Sequence, residues 1–246
     1  MAGRFILIQV GMQALLATVA NAVSSQSVIF VPISLALSAL AGLLVRSRLA
    51  PLAAEPSDHQ APRPHLADAL PALGAALAFQ AAVMAGWIYM EPLAALAQLD
   101  AAARALATPL SLAAQLAGCV VAIRLCRVAK WIWPVCCGSA LLALSFPTLA
   151  GGQEAGVFLG KQVAIGFVWT LVSPFFTAMA LEGDESGQTA IALPGAIMLG
   201  SVLGPGLAAF AVDTAGTPGL LRLCSGLASL AVVLALWGRW RLDRAG

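Results

Sequence analysis

The stretch Ala155–Leu181, AGVFLGKQVAIGFVWTLVSPFFTAMAL, decides the fold class, because it carries a single charged side chain, Lys161. A helix needs roughly 20 apolar residues to cross the hydrocarbon core of a bilayer. The apolar residues are continuous and do not alternate with polar ones, so the strands of an outer-membrane barrel are not indicated. The stretch therefore predicts a membrane-spanning α-helix.

Seven similar apolar runs lie on either side of this stretch. They are Phe5–Ala22, Val28–Val45, Ala67–Met90, Ala105–Ile123, Trp131–Ala150, Ala190–Val212 and Leu220–Trp237. The whole chain has the same character, since 61% of its 246 residues are hydrophobic and 10% are charged, whereas a soluble domain carries roughly 25% charged residues. The sequence predicts an all-α integral membrane protein of about eight transmembrane helices.

A polar segment divides these runs into two groups. Residues 47–66 contain Pro51, Pro56, Pro62 and Pro64, and prolines at this density oppose a helix. We interpret 47–66 as a cytoplasmic linker. Residues 1–46 then form two transmembrane helices, and residues 67–246 form a six-helix transmembrane half.

The basic residues give an orientation. With Met1 in the cytoplasm, ten of them fall on the cytoplasmic side and two outside, and cytoplasmic loops of membrane proteins are enriched in Lys and Arg. The cytoplasmic ones are Arg4, Arg46, Arg48, Arg63, Arg124, Arg127, Lys130, Arg239, Arg241 and Arg244, and the outer ones are Arg104 and Arg222. We therefore expect a multi-pass protein of a bacterial inner membrane with both termini in the cytoplasm.

One alternative concerns the first run. Arg4, the apolar residues after it and Ala20-Asn21-Ala22 are also typical of a signal peptide with its cleavage site. Cleavage would leave seven helices and the same topology for the remainder.

Enzyme chemistry is not indicated. The two histidines, His59 and His65, lie in the linker, and the five cysteines lack the spacing of a metal site. The sequence therefore predicts no catalytic residue, no metal and no cofactor. The net charge of +2 gives no reason to expect a nucleic-acid partner.

Polar residues within the apolar runs are the candidates for function, because burying them in hydrocarbon is costly and they usually face a bundle interior or a cavity. Gln80, Trp87 and Glu91 share one helical face by their spacing. The alternative is that Gln80 bonds a neighbouring helix and Glu91 is an ordinary interfacial carboxylate. Gln115 lies on the same side of its helix as Arg104, which is within possible reach of Glu91.

A second group lies on the span Ala155–Leu181. Gln162, Trp169 and Ser173 form a stripe, and Lys161 lies beside it. Lys161 either extends outward on its long side chain or meets an anionic substrate or a carboxylate. The candidate cavity residues are thus Gln80, Glu91, Gln115, Lys161, Gln162 and Trp169.

Glycines distinguish the span Ala190–Val212. Gly200 and Gly204 form a G-x-x-x-G step, which permits close approach of two helices, and Pro205 and Gly206 follow directly. Pro205 frees a backbone carbonyl and favours a kink. We interpret these four residues as packing and gating residues, with static packing as the alternative.

These residues resemble a known family. The acidic loop Glu182–Gln188, then Leu193-Pro194-Gly195 and Leu199–Gly206, look like helices ten to eleven of the major facilitator superfamily. The basic loop Arg124–Lys130 and the linker before six spans are similar to loops of that family. The resemblance implies that the chain corresponds to helices five to twelve, so that four helices are missing. A fragment, a wrongly assigned start, a degenerate copy and a short form that pairs with another chain all remain open.

The resemblance implies a secondary active transporter, with proton-coupled export of small organic molecules as the expected activity. Among the candidate cavity residues, Glu91 is the available carboxylate for proton coupling. Its partners would be the lipid bilayer, a small-molecule substrate, protons and a chain that supplies the missing helices. The alternative is a non-transporting membrane subunit, or a degenerate transporter fragment that needs a partner chain.

Overall fold

The computed structural model describes residues 66–150, 154–184 and 187–245. The predictions for the first two helices and for most of the linker lie outside these residues. Regular structure in the described part is entirely helical. The α-helices are α1 Leu66–Ile88, α2 Met90–Leu96, α3 Ala101–Leu125, α4 Ile132–Ser145, α5 Ala155–Gly183 and α6 Gln188–Ala245, and Pro147–Leu149 form a 3-10 turn after α4.

Five helices, α1, α3, α4 with its 3-10 turn, α5 and α6, are long and apolar enough to cross a membrane. They lie where the apolar runs predict them. One difference is the short helix α2, which occupies part of the predicted break between residues 91 and 104. The chain then enters α3 through Asp100, whose carboxylate accepts a hydrogen bond from the Ala103 amide at 2.7 Å. This is an N-cap, which stabilises a helix start by satisfying a free backbone N–H.

The last helix, α6, contains both of the predicted spans Ala190–Val212 and Leu220–Trp237. Gly216 has φ 62° and ψ −162°, which are not helical angles. A methyl group on Gly219 would lie 2.6 Å from the Ala211 carbonyl oxygen, although these residues would be about 12 Å apart in a straight helix. The chain therefore folds back at Gly216 without a loop, into a first arm (residues 188–215) and a second arm (residues 217–245).

Both arms pack against α1. In the first arm, Gly200 approaches Leu77 and Gly204 approaches Ala81, so this arm runs parallel to α1. In the second arm, Leu234 meets Gly74, and Gly238 meets Pro71, so this arm runs antiparallel. The two arms thus run in opposite directions along one central helix.

Helix α1 presents mostly alanines to its neighbours, including Ala75, Ala82 and Ala85, which are fully buried. Phe79 fills the space between them and packs on Phe176 of α5 with ring centroids 5.3 Å apart. Small side chains let helices approach closely, and tight van der Waals packing is what drives helix association in lipid.

The outer surface of the bundle is also apolar. Large hydrophobic side chains on it include Leu106, Leu144, Ile191, Val202, Phe210 and Val233. A helix that is apolar on all sides is typical of a membrane span or of the core of a large protein. The arrangement is compatible with a multi-pass membrane protein.

The charged residues collect at the two ends of the bundle. At one end the start of α4, the end of α5 and the end of α6 meet: the Trp131 indole donates to Glu182, and Arg239 pairs with the same carboxylate at 3.1 Å. The loop with Arg124, Arg127 and Lys130 leads into this end, which we call the basic end. At the other end Glu91 and Arg104 form an ion pair at 3.8 Å.

Candidate functional site

Gln80 joins three helices through its amide. Its Nε2 donates to Ser201 Oγ on the first arm of α6 at 3.1 Å, and its Oε1 accepts from the Trp169 indole on α5 at 3.1 Å. The side chain is buried, with 8% of its surface exposed. Gln80 therefore bonds neighbouring helices, which is one of the two alternatives that its sequence position allows.

The aromatic side chains extend this junction along α1 and α5. Trp87 lies two turns beyond Gln80, and its ring packs on Trp169 with centroids 5.9 Å apart. The Trp169 carbonyl accepts from Ser173 one turn later. Gln80 and Trp87 thus both contact Trp169, whereas Glu91 belongs to the next helix, α2, because α1 ends at Ile88. The common face of Gln80, Trp87 and Glu91 stays a prediction.

Gln115 and Gln162 lie on two helices that pack side by side. The Thr170 hydroxyl on α5 donates to the Gln115 carbonyl at 2.7 Å, and Ser111 on α3 donates to the Gln162 carbonyl at 3.4 Å. Gly118 and Gly166 permit this approach, since a methyl group on either would overlap the opposite helix. Helices α3 and α5 therefore run parallel and in close contact.

The amide side chains of these two glutamines differ from that of Gln80. Gln115 is 1% exposed and Gln162 is 2% exposed. Neither amide atom of Gln115, nor Oε1 of Gln162, has a hydrogen-bond partner among the described residues. An unpaired buried amide costs on the order of 1–3 kcal/mol. Such groups are stable in a membrane when a water molecule or a polar ligand supplies the missing bonds.

The two charged candidates are held near the end of the bundle opposite the basic end. Lys161 Nζ donates to the Thr148 carbonyl in the 3-10 turn at 2.5 Å. Glu91 is 71% exposed in its side chain and forms the predicted pair with Arg104. The reach between Arg104 and Glu91 is confirmed.

The glycine step is a contact surface with α1. Methyl groups on Gly200 and Gly204 would lie 2.6 Å from the Leu77 oxygen and 2.5 Å from the Ala81 oxygen. Pro205 lies within helical backbone, and the non-helical residue of this helix is Gly216. Gly206 is exposed at the surface of the bundle. These contacts place Gly200 and Gly204 against the backbone of α1, and the roles in packing and gating stay predictions.

Sequence reasoning missed Ser201 as the partner of Gln80 and Thr170 as the partner of the Gln115 carbonyl. Both are polar residues in apolar runs, and this is the signal that singled out the glutamines. It also missed Ser139, which is fully buried on α4 with its hydroxyl unpaired among the described residues. Within residues 66–150, 154–184 and 187–245, no cluster of three His, Cys, Asp or Glu side chains has the arrangement of a metal site.

These features define a class of protein: an all-helical bundle with apolar helices of membrane-spanning length, apolar outside, and with neutral polar side chains inside. Comparison of the chain with models of known families, with curated proteins and with solved structures gives no significant match. Membership of the major facilitator superfamily therefore stays a prediction from the motifs quoted above.

Proposed function

We propose that the chain is a transporter of the major facilitator type, which exports small organic molecules in exchange for protons across a bacterial inner membrane. The described helices would cross the membrane six times, because α6 reverses at Gly216 and each of its arms is long enough for one crossing. Both termini would be cytoplasmic, since the basic end would face the cytoplasm.

The observation that carries the proposal is two buried glutamines inside an apolar bundle: both amide atoms of Gln115 and the amide oxygen of Gln162 have no partner among the described residues. Polar side chains in membrane spans are costly and usually belong to a substrate or ion path. Gln115 and Gln162 would donate to and accept from a polar substrate, and Gln80, Trp87 and Trp169 would present an amide and two rings beside it. A partner half, from this chain or another, would complete the cavity between two halves.

Lys161→Ala tests the transport proposal. The variant removes the one cation within the span Ala155–Leu181, and we expect transport to be lost while expression and membrane insertion are retained. The measurement is flux of a panel of labelled small organic molecules into inverted vesicles with an imposed proton gradient. Arg222→Ala is the matched control, because Arg222 is a cation of the second arm that bonds the Pro218 carbonyl of its own helix. Unchanged flux in Lys161→Ala would show that Lys161 has no role.

Glu91→Gln tests proton coupling in the same assay. Exchange of a substrate for protons needs a residue that couples the two movements, and Glu91 is the candidate carboxylate on the outer side. If this variant retains flux that responds to the proton gradient, the coupling role belongs to another residue.

The second candidate function is a non-transporting membrane subunit. It is favoured by the Gln80 amide, because its nitrogen and its oxygen each have a partner on a neighbouring helix of the same chain. A stoichiometric partner that co-purifies with the chain, together with absence of flux in liposomes, would favour this function.

A further inference from the structure

A row of partly exposed side chains runs along the central helix α1. Within residues 72–87, the side chains of this helix that are not buried are those of Leu73, Leu77, Met84 and Trp87. Their spacing of three, four or seven residues puts them in one row along a helix, and Gln80 lies between Leu77 and Met84. The row is therefore the part of this segment of α1 that its neighbours leave open.

Two other helices flank the row at Gln80. The Gln80 amide donates to Ser201 on the first arm of α6 and accepts from Trp169 on α5. Trp169 and Ser201 are themselves partly exposed, and the Trp169 ring packs on Trp87 with centroids 5.9 Å apart. We call this group the indole site, and its residues are Gln80, Met84, Trp87, Trp169 and Ser201.

The indole site begins inside the span and leads to the end of α1. Gln80 is eight residues before the last residue of α1, Ile88, which is about 12 Å of helix, and Trp87 is next to that end. Trp169 is fourteen residues from both ends of α5. Tryptophan in a membrane span usually lies near the interfaces, whereas polar side chains in the interior usually face a path or a cavity. Gln80 and Trp169 have positions of the second kind.

Two N–H groups of the site are available to a ligand. A carboxamide has two N–H groups, and the Gln80 nitrogen has one partner, Ser201, among the described residues. The Trp87 indole N–H has no hydrogen-bond partner in residues 66–150, 154–184 and 187–245, and its side chain is partly exposed. A ligand that satisfies these groups carries a hydrogen-bond acceptor.

The interior part of the site is distant from charge. In the sequence, Gln80 and Ser201 are eleven or more residues from any charged residue, and Trp169 is eight residues from Lys161, which is about 12 Å of helix. A charged ligand would lose its hydration here without gaining an opposite charge, and this is costly in an apolar environment.

The outer part of the site has balanced charge. Glu91 follows Trp87 by four residues, and it pairs with Arg104 at 3.8 Å. Because the two charges offset each other, this end gives no preference for a cation or an anion. The charge pattern along the whole site thus favours an uncharged ligand.

We propose that the indole site binds an uncharged, planar aromatic compound that carries a hydrogen-bond acceptor such as a carbonyl oxygen. The aromatic ring packs on Trp87 and Trp169, since aromatic rings attract one another at such distances, and the carbonyl accepts from the Trp87 N–H beside the Gln80 amide. As a substrate class, this inference rests on the proposed transport function. Binding itself is measured without flux.

The test uses four probes that share one ring system and one shape. Acetylnaphthalene carries the acceptor, isopropenylnaphthalene has a methylene group in its place, naphthoate is an anion, and naphthamidinium is a cation. Equilibrium dialysis compares the purified full chain in an uncharged detergent with micelles of that detergent alone, so that partition into the micelle cancels. We expect acetylnaphthalene to bind about five-fold more tightly than isopropenylnaphthalene, the effect of one neutral hydrogen bond. Each charged probe should bind about ten-fold more weakly than acetylnaphthalene.

Variants show whether the preference belongs to the indole site. Trp87→Phe keeps an aromatic ring but removes the N–H, and should reduce the advantage of acetylnaphthalene over isopropenylnaphthalene to about two-fold or less. Trp133→Phe is the matched control, because Trp133 lies on α4 with 68% of its surface exposed, and it should keep the advantage. Met84→Trp retains both N–H groups but fills the space between Gln80 and Trp87, and should weaken all four probes. The midpoint of thermal unfolding shows that each variant is folded.

Three results would overturn the proposal: equal affinities of the unaltered chain for acetylnaphthalene and isopropenylnaphthalene, tighter binding of either charged probe, or equal effects of Trp87→Phe and Trp133→Phe. Tighter binding of naphthamidinium would mean that the ring faces take a cation. Flux of acetylnaphthalene into vesicles is recorded separately. The expected binding without flux would count against the transport function and leave the site in place, whereas flux without the binding preference would overturn the site alone.

Discussion

Gly200 and Gly204 lie directly against the backbone of α1. Carbonyl oxygens of Leu77 and Ala81 occupy the space that a Cβ would need, and a backbone oxygen in a helix has little freedom to move away. Gly206, two residues further on, meets no atom of the described residues within 4 Å. The three glycines are alike in sequence but differ in what a methyl group would contact.

Alanine at these positions gives a direct prediction. Gly200→Ala and Gly204→Ala should each lower the free energy of unfolding by about 1–3 kcal/mol through overpacking against α1. Gly206→Ala should leave it unchanged or raise it by up to about 1 kcal/mol, because alanine favours a helix. Reversible unfolding in mixed detergent micelles measures this difference. Equal effects at all three positions would contradict the close contact.

The glutamines give a second prediction, because their bonding differs. Gln80→Leu leaves the Trp169 indole without its partner and should destabilise the fold by about 1–3 kcal/mol. Gln115→Leu replaces an amide that has no partner among the described residues and should stabilise it by on the order of 1 kcal/mol, while flux falls if this amide binds substrate. The same unfolding assay compares the two variants. Destabilisation by Gln115→Leu would mean that a bound water already supplies its hydrogen bonds.

At the scale of elements, the reversal of α6 depends on one backbone conformation. The angles of Gly216, φ 62° and ψ −162°, lie in a region that glycine alone adopts readily. After this residue the second arm packs against α1 and α4. Its contact with α4 includes a hydrogen bond of 2.6 Å from the Ser225 hydroxyl to the Ala143 carbonyl.

Gly216→Ala should therefore destabilise the hairpin by about 1–3 kcal/mol. Gly226→Ala is the matched control in the same arm, since a methyl group there meets no atom of the described residues within 4 Å. Unfolding midpoints and the protease sensitivity of residues 213–219 report the effect. If both variants behave alike, the strained conformation at Gly216 is not required for the reversal.

At the scale of the whole molecule, the distribution of charge predicts the orientation. Arg124, Arg127 and Lys130 lie in the loop that leads into the basic end, and Arg239, Arg241 and Arg244 end the chain there. The helices between the two ends carry few charges. Because each charge moved across a bilayer is costly, the six basic residues should keep this end in the cytoplasm.

Cys126 tests that orientation, because it is exposed at the end of α3. With the other cysteines replaced by serine, a membrane-impermeant maleimide should label Cys126 in inverted vesicles and not in right-side-out ones. Desolvation by its neighbours raises the pKa of this thiol above its ordinary value. Less thiolate is therefore present at neutral pH, and labelling should become faster as the pH rises. Asp213→Cys, in a background with Cys126→Ser, should give the opposite pattern. Labelling of Cys126 from outside would reverse the proposed topology.

For the residues that the structure describes, the sequence by itself determined the helical class, the positions of the long helices and the distribution of charge between the ends. These properties are local: hydropathy over roughly 20 residues decides whether a segment suits a bilayer, and the nearest charges decide its ends. The sequence also identified Gln80, Gln115 and Gln162 as unusual, because each is a polar residue within a run of apolar residues.

Only the tertiary structure decided which of these groups are paired. Gln80 and Gln115 are chemically identical, but Ser201 and Trp169 lie beside one of them, and the other amide meets no partner in the described residues. The fold-back at Gly216 and the indole site likewise depend on residues far apart in the chain. Hydrogen-bond partners and helix contacts arise from packing between distant segments, whereas a linear pattern records only neighbours.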